Sequence, residues 1–256
     1  MSTVLITGCS SGFGLETAKI FLEKGWHVIA TMRKPDPSLL PASNNLTLLP
    51  LDITSTSSID NLMQEVEKID VLVNNAGFGA PVPVELTPLA TAQQLMNTNV
   101  LGTLSLTQRF LPLMRQQGSG VIINVSSSVT TKAMPLIGLY RASKAALNAW
   151  SESLAIEAKP FGIRVHVVLP GRSPETKFGE NARAYFAGMA DPAYGKMVND
   201  FVQMVSKTNS PVTYAEDVAS TIFAIAIDQN TPFYSSAGED AKLWLEESQQ
   251  QSPFCS

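Results

Sequence analysis

Tyr140 and Lys144 stand four residues apart in Tyr140-Arg141-Ala142-Ser143-Lys144, inside a stretch with helical patterning. That spacing puts a phenol and an ammonium on one helix face. A phenol with a reference pKa of about 10 is a weak base at neutral pH, and a neighbouring positive charge favours its ionised form. Such a pair can hand a proton to a developing alkoxide or take one from an alcohol. Thirteen positions earlier, Ser127 follows the apolar run Ile122-Ile123-Asn124-Val125, as the middle member of Ser126-Ser127-Ser128. Another apolar run ends in Asn74-Asn75-Ala76-Gly77, and a long helical stretch carries Asn99-Val100-Leu101-Gly102.

The first apolar run leads into Thr7-Gly8-Cys9-Ser10-Ser11-Gly12-Phe13-Gly14 and then a helical pattern. Glycines there allow a tight turn, close approach of a pyrophosphate and close helix–strand packing. The N–H groups at the start of the helix favour an anionic diphosphate. With a strand before it and a helix after it, this is the context a dinucleotide site requires. Gly8-Cys9-Ser10-Ser11-Gly12 also fits the G-x-S-x-G elbow of hydrolases, which needs an acid and then a histidine downstream. The histidines are His27, too early in the chain, and His166, inside an apolar strand run where a packed role fits better.

Cofactor choice is set near the end of the second strand, where an acid binds a ribose 2′-hydroxyl and a basic group accommodates a 2′-phosphate. This chain has Thr31-Met32-Arg33-Lys34 there, and the nearest acid, Asp36, lies beyond the strand between two prolines. The planar fork of Arg33 suits a phosphate. The sequence therefore points to NADP(H) ahead of NAD(H). An oxidised nicotinamide would add a further positive charge favouring the Tyr140 phenolate.

The elements that must position these groups alternate. Val4–Ile6, Val28–Ala30, Leu46–Leu51, Val71–Val73, Val121–Val125 and Val165–Leu169 are short apolar runs without alternation. They read as strands covered on both faces. Helical patterns fall at Leu15–Lys24, Ile59–Lys68, Leu89–Arg115, Leu139–Lys159 and Ala215–Ile227. This alternation predicts a doubly wound α/β fold with a parallel sheet, whose strand ends face a ligand crevice. From Arg172 to Pro211 the rhythm breaks, with Phe178, Tyr185, Phe186, Met189, Met197, Phe201 and Met204 among scattered glycines. That segment reads as a partly helical insertion of the kind that forms binding loops or lids.

Bulk properties agree with a single catalytic domain over 1–256. The chain is 45% hydrophobic and 16% charged, with a net charge of −4 in which both signs are mixed. Nothing in this balance marks a nucleic-acid or anionic-lipid partner. No apolar run reaches the roughly eighteen residues of a spanning helix. Met1-Ser2-Thr3 precedes the first strand without a basic or cleavable segment, which argues for a cytoplasmic protein. Cys9 and Cys255 form neither a metal-ligand spacing nor a disulfide framework, and no metal site is expected.

Taken in order, these motifs resemble the short-chain dehydrogenase/reductase family over residues 4 to about 176. The resemblance runs Thr-Gly-x-x-x-Gly-x-Gly, Asn-Asn-Ala-Gly, Asn, Ser, Tyr-x-x-x-Lys and Pro170-Gly171. It resembles carbonyl reductase and hydroxysteroid dehydrogenase-like members of that family. It implies a seven-stranded Rossmann fold and a catalytic tetrad of Asn99, Ser127, Tyr140 and Lys144. Ser127 would bond the substrate oxygen while Tyr140 exchanges its proton. Lys144 would also hold the nicotinamide ribose, and Asn99 would keep a water between the lysine and solvent. Ser126 and Ser128 stand open beside Ser127, which counting from Tyr140 and Pro135 favours. Cofactor contacts are implied for Gly8, Ser10, Ser11, Gly12, Phe13, Gly14, Arg33, Asp52, Ile53, Asn75, Ala76, Gly77, Tyr140, Lys144, Pro170 and Gly171. Asp52 takes the adenine position and Asn74 a supporting one. Thr176, for the carboxamide, stands six positions past Pro170 where the family has five, with Pro174 between.

The resemblance makes the protein an NADP(H)-dependent oxidoreductase interconverting a ketone or aldehyde and its alcohol. The insertion at 172–211 would bind an apolar or aromatic substrate, since Met and Phe surfaces adapt to varied shapes. Lys177 and Arg183 keep an anionic substrate open. Thr231 to Ala241 is similar to the end of hydroxysteroid and retinol dehydrogenases. Family members pair through the helices near Leu89–Arg115 and Leu139–Lys159, which implies a homodimer or homotetramer. Leu147, Trp150 and Leu154 recur at helical spacing and suit core or interface equally. The polar tail after Leu245 reads as mobile. Other readings are a non-catalytic NADP(H)-binding sensor or scaffold, the hydrolase, and an epimerase or dehydratase working through a keto intermediate.

Overall fold

The computed structural model describes residues 1–206 and 210–250. Cys255 and Gln251, which the sequence reading assigned to the thiol count and the tail, lie outside the described residues.

Seven parallel strands form one sheet in the order β3-β2-β1-β4-β5-β6-β7. They are β1 Thr3–Thr7, β2 His27–Met32, β3 Leu46–Pro50, β4 Val71–Asn74, β5 Gly120–Val125, β6 Ile163–Pro170 and β7 Tyr234–Ala237. The order reverses between β1 and β4, and this switch point is where a doubly wound sheet opens its ligand crevice. Six of the strands coincide with the apolar runs. The seventh, Tyr-Ser-Ser-Ala, is polar and half-buried, and it is held by parallel pairing with β6 from Val167↔Tyr234 to Pro170↔Ala237.

The helices are α1 Gly12–Glu23, α2 Thr56–Glu65, α3 Leu89–Met96, α4 Thr103–Gln117, α5 Gly138–Ala158, α6 Lys177–Arg183, α7 Gly195–Val205, α8 Ala215–Ile227 and α9 Glu239–Gln250. Because strand side chains alternate between faces, β1 sends Val4 and Ile6 to one layer and Leu5 to the other. The first layer packs Ala18 and Phe21 of α1 with Val218, Ile222 and Ile225 of α8. The second packs Ile59 and Leu62 of α2 with Leu106, Phe110 and Met114 of α4 and Ala158 of α5.

Two features depart from the helical patterns read in the sequence, while the insertion is partly helical as read there. The stretch Leu89–Arg115 is two α-helices separated by a π-helical turn, Asn97–Gly102. The insertion contains α6 and α7, with Val198 and Phe201 of α7 buried. The segment after Leu245, read as mobile, continues as α9 to Gln250. α9 is pinned at its start by Asp240, which is 5% exposed. The Asp240 carboxylate accepts from Arg172 N at 2.6 Å and from Thr213 Oγ1 at 2.7 Å.

Candidate active site

β1 ends in the glycine turn, in which Gly8 and Gly12 take positive φ of 76° and 55°. Gly14, on the first turn of α1, is required by close approach. A Cβ there would lie 2.5 Å from both Asn75 Nδ2 and the Gly8 carbonyl oxygen. Asn75 bolts the end of β4 to this turn, donating from Nδ2 to Thr7 O at 2.8 Å and Gly8 O at 3.3 Å. Thr7 Oγ1 in turn accepts from Asn75 N and Ala76 N, both at 2.9 Å. Ser11 makes no side-chain cap on α1, and the first turn holds no acid. The N–H groups there therefore face outward toward an anion, and Ser10 is exposed beside them. Phe13 is half-buried and packs into the core below.

At the end of β2, Arg33 is exposed. Asp52, just past β3, accepts from Thr54 N at 2.9 Å and Thr54 Oγ1 at 2.6 Å. Those bonds, and more weakly the nearby Arg33 charge, hold its carboxyl below the usual range. Ile53 is buried with its carbonyl against Gly102 of the π turn. These residues fit a nicotinamide dinucleotide: a glycine-rich backbone cradle, a helix start without a side-chain cap, and a base and an acid together at the far rim.

Four polar side chains converge beside this cradle. Tyr140 and Lys144 lie on α5 and are 7% and 4% exposed. Ser127 at the end of β5 faces the Tyr140 phenol closely enough that its hydroxyl opposes the upward shift of that phenol. Its Oγ also accepts from Val129 N at 3.3 Å, capping a 3-10 turn. The other serines point elsewhere. Ser126 Oγ lies 3.4 Å from the Lys144 carbonyl, and Ser128 Oγ is buried without a partner. Asn99 sits in the π turn with its amide locked. Oδ1 accepts from Phe78 N at 3.1 Å, and Nδ2 donates to Phe78 O at 2.9 Å and Ser143 Oγ at 3.0 Å. Ser143 Oγ donates on to Tyr140 O at 2.7 Å. Asn99 Oδ1 and Lys144 Nζ lie 3.0 and 3.4 Å from the point a Gly77 Cβ would occupy, so the asparagine and the lysine meet across that glycine.

Burial dominates the electrostatics of the site. Burial pushes the Tyr140 phenol up to about 12, with the Ser127 hydrogen bond opposing, and pushes Lys144 down to about 8. Lys144 Nζ donates to Val125 O at 2.8 Å. Desolvation is the largest cause of both shifts, and Tyr140 is a proton-bearing phenol at neutral pH.

The remaining sequence candidates fall around the same crevice. Pro170 and Gly171 close β6, with Gly171 N donating to Thr213 Oγ1 at 2.9 Å. Thr176 lies over the glycine turn, its side chain 3.3 Å from a Gly12 Cβ position, and its Oγ1 donates to Ser173 O at 3.0 Å. Asn74 turns the other way, into a buried ladder in which it donates to Asn124 Oδ1 at 2.8 Å. His166 is no partner for a serine. Nδ1 faces Pro232 O at 3.0 Å and Nε2 faces Arg164 at 3.1 Å, so both ring nitrogens are engaged. Thr7, Ser143 and Asp240 support the site without having been singled out as site residues. Thr7 belongs to the glycine motif and was legible there, whereas Asp240 carries no local signal.

A parallel Rossmann sheet with this cluster at its crevice defines a nicotinamide-dependent oxidoreductase class, and the chain belongs to the short chain dehydrogenase family, which matches residues 2–185. Its relatives include a 3-ketodihydrosphingosine reductase of Bacteroides thetaiotaomicron, 32% identical and covering 97% of this chain and 94% of that protein. Among solved structures, a short-chain dehydrogenase from Streptomyces avermitilis superposes with a TM-score of 0.84 at 31% identity, covering 97% of this chain and 92% of that one. ElxO with NADP bound has a TM-score of 0.75 at 26% identity, covering 92% and 96%.

Proposed function

We propose that this protein reduces a ketone or aldehyde to the corresponding alcohol with NADPH, and that Tyr140 is the acid. The observation that carries the reading is the Ser127–Tyr140 hydroxyl pair, buried beside Lys144 at the edge of the glycine cradle. When bound, NADPH supplies the hydride. Tyr140, a phenol at neutral pH, donates its proton to the oxygen of the carbonyl as charge develops there. Ser127 donates a second hydrogen bond to that oxygen and orients it. Lys144 carries positive charge under the phenol and, with Asn99 fixed beside it, restores the proton from solvent. In the reverse direction the same groups deprotonate an alcohol.

NADP(H) in preference to NAD(H) is supported by Arg33 at the end of β2 and by the NADP bound in ElxO. Asp52 would meet the adenine, Gly8 to Gly14 the diphosphate, and Ala76, Gly77, Pro170, Gly171 and Thr176 the nicotinamide side. The segment 172–211 would bind the substrate, and the name of the Bacteroides relative, a keto reductase, fits a ketone. A homodimer or homotetramer through the stretches near Leu89–Arg115 and Leu139–Lys159 is supported by Leu101 in the π turn and Ile156 on α5, which are 53% and 77% exposed. No described helix is long and apolar enough to cross a membrane. A cytoplasmic setting suits the unpaired thiol of Cys9.

The test is absorbance at the reduced-nicotinamide band with NADPH or NADH and a panel of aryl ketones, alkyl ketones, aldehydes, quinones and steroids. Wild-type protein oxidises NADPH faster than NADH, and Tyr140→Phe abolishes the reaction. Equal rates in the variant would refute the role of Tyr140. Tight NADPH binding without turnover of any carbonyl would favour a sensor instead.

A further inference from the structure

Clefts of about 360 and 400 Å³ open on the surface away from Tyr140 and Ser127. The space against the Tyr140 ring is taken by Phe178, whose ring centroid lies 5.7 Å away at an interplanar angle of 54°. Phe178 reaches that position because residue 79 is glycine. A Cβ there would lie 2.8 Å from Phe178 Cζ, 3.0 Å from Phe178 Cε1 and 3.8 Å from Tyr140 Cδ2. Three residues from three separate segments thus meet at one point beside the phenol.

Phe178 is not a core residue. It is 40% exposed, and Ala182 is the buried residue of α6. A seven-residue helix with so little burial moves at small cost. Two positions before it, Thr176 rests on the Gly12 turn, so one short segment touches the cofactor cradle and the phenol together. Across the site, Phe78 stacks on Tyr185 with centroids 5.0 Å apart and completes an aromatic lining.

We infer that Phe178, seated against Gly79, is the specificity-determining ring of the substrate site. This rests on the reading of Tyr140 given above. Two rings in contact leave no room for a ligand between them, so a substrate arm that lies against this side of the Tyr140 ring displaces Phe178. The displaced ring then becomes a flat apolar wall along the substrate. A carbonyl carbon bearing a flat or unbranched apolar arm, such as an aryl or straight-chain alkyl ketone, lies along that wall. A ketone whose arm is branched next to the carbonyl presses methyl groups into the ring and is rejected.

The experiment compares kcat/KM for methyl phenyl ketone and methyl tert-butyl ketone, with NADPH, in wild type, Phe178→Ala, Gly79→Ala and the double variant. Binding of both ketones to Tyr140→Phe and to Tyr140→Phe/Phe178→Ala, each loaded with NADPH, is followed by nucleotide fluorescence. Wild type favours the phenyl ketone by about tenfold or more, the scale on which a pocket discriminates one or two methyl groups. Phe178→Ala brings the ratio to within about threefold by raising the rate with the tert-butyl ketone. Gly79→Ala moves the ratio the same way, because its methyl drives the ring out. The double variant goes no further than Phe178→Ala, since both changes act through one contact. Phe178→Leu stands in if the alanine variant does not fold. An unchanged ratio in both single variants, or additive effects in the double, overturns the inference. If Tyr140→Phe binds both ketones with the same preference whether or not Phe178 is present, the inference falls while the reading of Tyr140 stands. If wild type neither binds nor turns over any ketone, the reading of Tyr140 falls and takes the inference with it.

Discussion

Lys144 donates its ammonium to the main-chain carbonyl of Val125 at 2.8 Å, so the base of the catalytic helix is tied to the end of β5. Burial holds this lysine at about 8, against 10.5 when unfolded. Between those values the unfolded chain binds a proton that the folded chain has released. Stability therefore rises with pH from about 8 towards 10.5. Tyr140, held at about 12, works in the opposite sense, its contribution being lost only above pH 10. Urea unfolding across pH 7 to about 10 in wild type and Lys144→Met measures this, and the variant lacks the rise.

The same deprotonation limits catalysis. As pH passes about 8, the charge beneath the phenol is lost and the reduction rate falls. A profile of kcat/KM for NADPH-dependent reduction shows this limb, and a flat profile to pH 10 would exclude Lys144 as a charged participant.

Gly14→Ala places a methyl 2.5 Å from both Asn75 Nδ2 and the Gly8 carbonyl oxygen, and backbone on one side cannot give way. The turn distorts, and NADPH affinity drops by about 100-fold or more, a loss of at least 2.7 kcal/mol by the usual conversion of about 1.4 kcal/mol per tenfold. Fluorescence titration with NADPH, beside a thermal melt, separates lost binding from lost fold.

Arg33→Ser removes the exposed guanidinium at the end of β2. A charge-assisted hydrogen bond contributes about 1.5–3 kcal/mol, so affinity for NADPH falls by about 10- to 100-fold while NADH is little affected. Equal losses for both nucleotides would show that Arg33 does not read the 2′-phosphate.

Asp240→Ala leaves Arg172 N without its 2.6 Å acceptor and removes a partner of Thr213 Oγ1. Thr213 Oγ1 keeps Ala237 O as an acceptor, so stability falls by about 1 kcal/mol, the cost of one lost hydrogen bond at a partly buried backbone N–H. The denaturation midpoint measures it. A loss within 0.5 kcal/mol, about that of an ordinary surface change, would mean α9 is not anchored there.

Local signals carried much of this protein. Six strands, the glycine turn, Asn99, Tyr140 and Lys144 were legible because each depends on a short pattern: an apolar run, a turn that only glycine makes, an i,i+4 pair. Three things were decided only by tertiary structure. Counting from Tyr140 and Pro135 favoured Ser127, but that Ser126 and Ser128 turn away from the phenol depends on how β5 enters the 3-10 turn beside α5. The polar strand β7 and helix α9 take their places from pairing with β6 and from Asp240, contacts that span the chain and leave no periodicity. The state of the phenol also depends on burial that a spacing in sequence does not show. Tyr140 and Lys144 are neighbours on α5, and folding buries both, so desolvation raises the phenol and lowers the ammonium.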